Sequence, residues 1–277
     1  MNATFVACLA SALHQIPMRK IASLALALAL LGTLAGCGKS SKVTAPVTSS
    51  SGGPKTESEA KQVAQQSAAM GNTYLEQAKS LLRVATVHGA QPARVRPYKA
   101  LGTAADSTSF TYALQGYDIG GNPIDWATHS DQLASLAMDY RWYYKTNGDS
   151  LLLEQDVRSH GNVAGLEATA TRYVANATDT LFVVYNGYSA GYHIIYEYSG
   201  TSKVTNLEWE KSGTPTYPVA GAITLHWHWT YEYWYGAQHS TGNVETDATI
   251  TFNGTRYASV RVGTYTFSLD LETGTVS

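Results

Sequence analysis

Cysteine is nearly missing from this sequence. Cys8 and Cys37 are the only two in 277 residues. Nothing after Cys37 can therefore form a disulfide, and stability there must come from core packing. Charge of one sign is missing too: 19 basic against 21 acidic side chains leave a net charge of −2. No basic field marks the chain for nucleic acid. The longest apolar run, within Ile21–Cys37, falls short of the ~20 residues that a spanning helix needs. Phenylalanine is scarce at 5, whereas tyrosine (19) and tryptophan (6) are plentiful. Aromatics that carry a polar handle suit surfaces that are apolar yet partly wet.

What is present begins with an export signal. Met18-Arg19-Lys20 supplies a positive start, and "IASLALALALLGTLAGC" adds an apolar core ending in small residues. Leu34-Ala35-Gly36-Cys37 resembles the lipobox of bacterial lipoprotein precursors, in which the signal is removed just before the cysteine and the cysteine is acylated. The resemblance covers residues 18–37. It implies lipid attachment at Cys37 and anchoring to a membrane by several acyl chains, each buried CH₂ contributing ~0.8 kcal/mol. Gly38 is not the Asp that retains enterobacterial lipoproteins at the inner membrane, so the resemblance favours the outer membrane of a bacterial envelope. The seventeen residues before Met18 precede an already complete signal, which points to Met18 as the true start. Residues 1–37 thus read as signal peptide. Residues 38–55, "GKSSKVTAPVTSSSGGPK", read as a flexible tether with almost nothing to bury.

The folded part opens with a capping-box pattern, Thr56-x-x-Glu59. Val63, Met70, Tyr74, Leu81 and Ala85 follow at helical spacing, with Ala60 and Ala78 on the same side. This predicts one amphipathic helix over 56–88, with a weak point at Gly71-Asn72, packed on a sheet. From about Ser107 the period becomes two. Leu136, Met138, Tyr140, Trp142 and Tyr144 alternate with Asp139, Arg141 and Lys145 ahead of Asn147-Gly148. A two-residue turn there pairs Tyr144 with Leu151, Trp142 with Leu153 and Met138 with Val157, and sets Arg141 against Glu154 and Asp139 against Asp156. A second turn at Gly263-Thr264 pairs Val262 with Tyr265, Val260 with Phe267 and Ala258 with Leu269. A two-residue turn at Asn253-Gly254 puts Val260 on the side opposite Ile250, so a bulge or another register is needed there. Between the hairpins lie "TLFVVYN", "YHIIYEY", "KVTNLEWE" and the run Val219–Tyr235. The expected fold is mainly β: an antiparallel meander over 100–277, as a curved sheet or partial barrel, with one N-terminal helix. The charged strand residues and the helix argue against a transmembrane barrel.

Three segments carry candidate chemistry. In "HWHWTYEYWYG" a strand puts Trp227, Trp229, Tyr231 and Tyr233 on one face and His226 and His228 on the other. The aromatic face is either core or the wall of a ligand cavity, similar to that of lipoprotein carriers that hold acyl chains. His226-x-His228 with Glu232 resembles part of the first cupin motif, which implies a metal. Its second motif is missing, however, and a strand places Glu232 ~13 Å from His228. His193 from a neighbouring strand is a candidate helper. Gly187-Tyr188-Ser189-Ala190-Gly191 matches the nucleophile elbow of α/β-hydrolases in letters, yet strand-like "YHIIYEY" stands where a helix is required, so it reads as a hairpin turn. Asp139 and Asp156 form a carboxylate pair that Arg141 and Arg158 neutralise. The sequence therefore leads to an envelope-associated lipoprotein with a non-catalytic binding or structural role. The membrane is its partner through acylated Cys37, and an apolar small molecule is its candidate ligand. The alternative is a metal-binding protein or enzyme using His226 and His228, and no other cofactor is indicated.

Overall fold

A computed structural model describes residues 53–86, 106–125, 128–148, 151–189, 192–212 and 217–277. These belong to one unit, Thr48–Ser277. The signal, Cys37, the tether up to residue 52 and the link between helix and sheet lie outside the described residues.

Helix α1 spans Glu57–Thr86. Its capping box closes as the sequence predicts: Thr56 Oγ1 accepts the Glu59 N–H at 3.2 Å, and Glu59 Oε2 accepts the N–H groups of Thr56 at 3.2 Å and Lys55 at 2.8 Å. The buried stripe differs from the expected one. Ala60, Met70 and Ala78 are buried as expected, and Ala64, Ser67, Ala68, Gly71, Leu75 and Leu82 are buried with them, whereas Val63 and Tyr74 are only half-buried. Small side chains let the helix approach the sheet closely, so the contact line follows the alanines rather than the largest residues. Gly71 is part of that approach and does not end the helix. A methyl added there would overlap Ile250 Cδ1, a side chain that is itself buried.

The strands are β1 (Asp106–Tyr117), β2 (Pro123–Ile124), β3 (Ser135–Gly148), β4 (Leu151–Ala164), β5 (Arg172–Ser189), β6 (Tyr192–Glu210), β7 (Ala220–Tyr235), β8 (Gln238–Thr251), β9 (Tyr257–Val262) and β10 (Tyr265–Asp270). They form one antiparallel sheet in the order β10-β9-β8-β7-β6-β5-β4-β3-β1-β2. The expected meander is therefore present, and the sheet is open: β2 and β10 are its edges. The C-terminus partly covers one edge, where Ser268 and Ser277 exchange both backbone hydrogen bonds at 2.9 Å. "YHIIYEY" and "KVTNLEWE" are one strand, continuous through Ser199–Ser202. No described helix is long and apolar enough to cross a membrane.

The C-terminal hairpin has the predicted register, with Val262↔Tyr265, Val260↔Phe267 and Ala258↔Leu269. Gly263 takes the positive φ of 58° that its turn demands. The first hairpin does not. Its pairs are Tyr144↔Gln155, Trp142↔Val157, Met138↔Gly161 and Gly148↔Leu151, so the chain reverses two residues later than Asn147-Gly148. The shift is even, and every side chain keeps its predicted face. Charge explains it. The expected register opposes Asp139 to Asp156, and like charges directly opposite are destabilising. The observed register sets Asp139 beside His160 at 2.5 Å, Lys145 beside Glu154 at 2.9 Å, and Asp156 between Arg141 and Arg158 at 2.7 and 2.8 Å. The Asp139–Asp156 pair does not exist. Between β8 and β9, Ile250 pairs with Val260, and Phe252–Arg256 connect the strands, so Ile250, Phe252, Val260 and Val262 are buried together. The two-residue turn at Asn253-Gly254 is thereby replaced.

One irregularity was not predicted. The ladders of β6 slip at Asn206, which holds a φ of 47°, and Asn176 Oδ1 accepts its N–H at 2.8 Å. Asn tolerates the left-handed region better than most residues. The bulge re-aims the strand, so that Val204, Leu207 and Trp209 are all buried despite the odd step between the first two.

Candidate functional site: two faces of one sheet

The register divides the sheet into an inner face, which α1 covers, and an outer one. On the inner face, α1 packs against β4, β5 and β7–β10. Beneath it lie Ile223, Leu225, Ala248, Ile250, Val260, Val262 and Leu269, each buried. Burying such a side chain stabilises by ~1.5–3 kcal/mol. A polar group lies among them. Asp179 is 3% exposed; its Oδ2 accepts the Ser202 hydroxyl at 3.3 Å, while Oδ1 has no hydrogen-bond partner. Burial pushes this carboxyl up to about 6, against the pull of the Ser159 and Ser202 hydroxyls. Burial likewise raises Tyr74 and Tyr140, on α1 and β3, to about 12.

Tyr198 marks the boundary of cover, with its hydroxyl 3.9 Å from Met70 Sδ of α1. Past it the inner face continues across β3–β7 as Trp142, Tyr144, Leu153, Tyr185, Tyr196, Trp229, Tyr231 and Tyr233, all half-buried. Several of these rings lie flat. Tyr185 covers Gly187, Tyr198 covers Gly200, and Tyr231 covers Gly242, each filling the space where a Cβ would stand. The four aromatics of the opening motif therefore part company. Trp227, at 1% exposure, is core, whereas Trp229, Tyr231 and Tyr233 are half-buried. Polar atoms without partners occur here as well: Gln155 Oε1, Trp227 Nε1, Tyr231 Oη and Thr246 Oγ1, all buried. Buried polar groups are almost always hydrogen-bonded, so these four, with Asp179 Oδ1 and Trp209 Nε1 elsewhere on the same face, call for an explanation.

The outer face holds the two candidate metal ligands, His226 and His228. His226 Nδ1 pairs with Asp247 Oδ1 at 2.7 Å, and its Nε2 lies 3.8 Å from Glu245 Oε1. Among the described residues, no group of three or more His, Cys, Asp or Glu side chains is placed to hold a metal ion. His193 does not join them. It pairs with Trp234, eight positions along β7 from His226, or ~26 Å. There it belongs to a ladder of stacked rings that sequence reasoning missed: Tyr188, His193, Trp234 and His239, with centroids 4.0, 4.6 and 4.9 Å apart on β5, β6, β7 and β8. Glu232 lies 3.9 Å from His239 rather than near His226. The elbow-like segment closes a hairpin, with Ser189↔Tyr192 as its last pair; Ala190 and Gly191 lie outside the described residues. A strand follows where an elbow needs a helix.

No protein-family model, curated protein or solved structure matches the chain. Function must be argued from the faces themselves. The uncovered inner stretch combines half-buried aromatic rings with a few buried polar atoms, the residue types that small-molecule sites use.

Proposed function

We propose that this protein is an envelope lipoprotein, anchored through acylated Cys37, whose sheet binds an apolar or amphipathic small molecule without catalysis. The lipobox Leu34-Ala35-Gly36-Cys37 supports the anchor, and Gly38 supports the outer membrane. One observation carries the binding role: the inner face continues beyond α1 as half-buried Trp229, Tyr231 and Tyr233, beside the unpartnered atoms of Gln155, Trp227, Tyr231 and Thr246. Aliphatic segments of a ligand suit the rings. A polar head near Trp227 and Thr246, which pair directly across β7 and β8, would compensate the desolvation of their unpaired donor and acceptor.

The reading predicts that palmitate added to the mature chain (residues 37–277) changes tryptophan fluorescence saturably. Trp229→Ala together with Tyr233→Ala should remove the change while the far-ultraviolet dichroism stays that of the wild type. Native mass spectrometry should show co-purified small molecules. A fluorescence signal indifferent to palmitate, with a bare mass, would sink the binding role. The anchor stands or falls separately: Cys37→Ala should abolish incorporation of labelled palmitate and release the protein from membranes.

A further inference from the structure

The outer face has its own concavity, made by side-chain length. On β5 and β6, Thr180, Ser199 and Thr201 are short and exposed. Arg158 and Phe182 stand to one side and His226 to the other, enclosing a depression of about 300 Å³. The register is orderly. Arg158, Thr180, Thr201, His226 and Asp247 occupy one row across five strands, and Asp156, Phe182, Ser199, His228 and Glu245 the next.

The two walls differ in charge. Asp156 accepts hydrogen bonds from both Arg141 (2.9 and 2.7 Å) and Arg158 (2.8 Å). One carboxylate facing two guanidiniums leaves a positive wall, and Arg158 has N–H donors beyond those Asp156 takes. On the opposite wall, His226 Nδ1–H donates to Asp247 Oδ1, which orients the ring and leaves Nε2 as its other polar atom, with Glu245 Oε1 3.8 Å from it. The floor offers three hydroxyls that both donate and accept. Phe182, 36% exposed, presents an apolar ring at the rim.

We propose that this depression binds a small acidic saccharide of one or two rings. Its carboxylate would meet Arg158, its hydroxyls Thr180, Ser199, Thr201 and His226, and its C–H face the ring of Phe182. A guanidinium suits a planar carboxylate better than any other side chain. The carboxylates of Asp247 and Glu245 disfavour a second anionic group at the far wall. The volume is at the lower end of ligand pockets, which limits the ligand to one or two rings. The site lies on the face opposite the proposed apolar one and does not depend on it.

The experiment is a titration of the mature chain, followed by heteronuclear NMR, with glucuronate, glucose and acetate as probes. Glucuronate should bind saturably, shifting amides of β4–β7 around Thr180 and Thr201. Glucose and acetate should each bind at least about tenfold more weakly. Arg158→Gln should lower glucuronate to the level of glucose, and Phe182→Ala should weaken both sugars. Thr180→Gln, which fills the floor, should abolish binding and serves as the control if either other variant misfolds. Prior saturation with palmitate should leave glucuronate binding unchanged. Equal affinity for glucuronate and acetate would reveal a bare anion site and overturn the proposal. So would glucuronate bound no better than glucose, or binding indifferent to all three substitutions.

Discussion

The inner face of the sheet has two halves built from different residues. Under α1 it is aliphatic and mostly branched: Ile223, Ile250, Val260 and Val262 lie there at 0–1% exposure. Past Tyr198 it is aromatic, and Tyr185, Tyr196, Trp229, Tyr231 and Tyr233 keep part of their surface in water. The difference follows from what covers each half. A helix edged with alanines fits closely onto short branched side chains and excludes solvent. Without such a cover, Tyr185 and Tyr231 lie flat over Gly187 and Gly242 and bury the backbone, each ring keeping part of its surface in water although the Tyr231 hydroxyl itself is buried. Shielding of the ring is felt even there. Burial raises the hydroxyls of Tyr185 and Tyr196 above the ordinary tyrosine range.

The sharpest test of that division lies within one strand. Trp227 and Trp229 are two residues apart on the same face, the first buried and the second half-exposed. Trp227→Ala should cost ~3–5 kcal/mol through lost burial and the cavity left behind. Trp229→Ala should cost only ~1–2 kcal/mol, since part of its surface makes no protein contact. Urea unfolding of the two variants measures both. Equal losses would erase the boundary drawn at Tyr198.

Parity was legible in the sequence, and exact registration was not. Every strand face in β3, β7 and β10 follows from alternation alone, and the Gly263-Thr264 turn fixed its hairpin residue for residue. At Asn147-Gly148 a good turn signal competed with cross-strand charge. The reversal lies two residues further along, which exchanges Arg141–Glu154 for Lys145–Glu154 and Asp139–His160 and sets Arg141 opposite Arg158. Alternation cannot detect such a move, because it preserves every face. The β6 bulge left one trace, the odd step from Val204 to Leu207, which becomes meaningful only once both are known to be buried. For the sites, the sequence placed His226 and His228 together on one face but could not bring Asp247 to His226, since that contact spans two strands. The stacking of Tyr188, His193, Trp234 and His239 was hidden for the same reason. Each ring is on a different strand, and only the completed registers align them.

The second test asks how dry the covered half is. Asp179 is buried there with hydroxyls for neighbours: those of Ser159, Ser202, Tyr74 and Tyr140. Its carboxyl is raised to about 6 from an ordinary value near 3.8. For an acid with a raised folded-state value, the folded protein binds more protons than the unfolded chain between about pH 4 and 6. The favourable contribution is therefore fully present below about pH 4 and is lost as pH rises through about 6. The loss amounts to roughly 3 kcal/mol by neutral pH. The depressed carboxyls of Asp156 and Glu154 act in the opposite sense up to about pH 5, where their unfolded-state values are passed. The Asp179 effect is therefore read cleanly between about pH 5 and 7. Asp179→Asn should stabilise the protein at pH 7 by about 2–3 kcal/mol and flatten the dependence between about pH 5 and 7. Chemical denaturation across that range reads both effects. A wild-type profile that rises from about pH 5 to 7 and is indifferent to the substitution would show that the carboxyl is paired or hydrated, and the covered half wetter than its burial implies.

The smallest expected effect decides whether cover and sheet unfold as one. Thr56 closes the capping box with Glu59 at the exposed start of α1, well away from the uncovered aromatic stretch. Thr56→Ala leaves the Glu59 N–H without its side-chain acceptor and should cost ~1 kcal/mol of helix stability. Because α1 buries its alanine stripe on β4, β5 and β7–β10, that loss should appear undiminished in the global unfolding of the sheet. Tryptophan fluorescence, dominated by residues of the sheet, and far-ultraviolet dichroism, which also registers the helix, should then shift together. Suppose instead that fluorescence kept its midpoint while dichroism lost amplitude at lower denaturant. The helix would then release before the sheet, and Ile223, Ile250, Val260 and Val262 would have to remain folded without it. In that case the aliphatic half would owe its stability to the strands alone, and cover could no longer explain why the two halves differ.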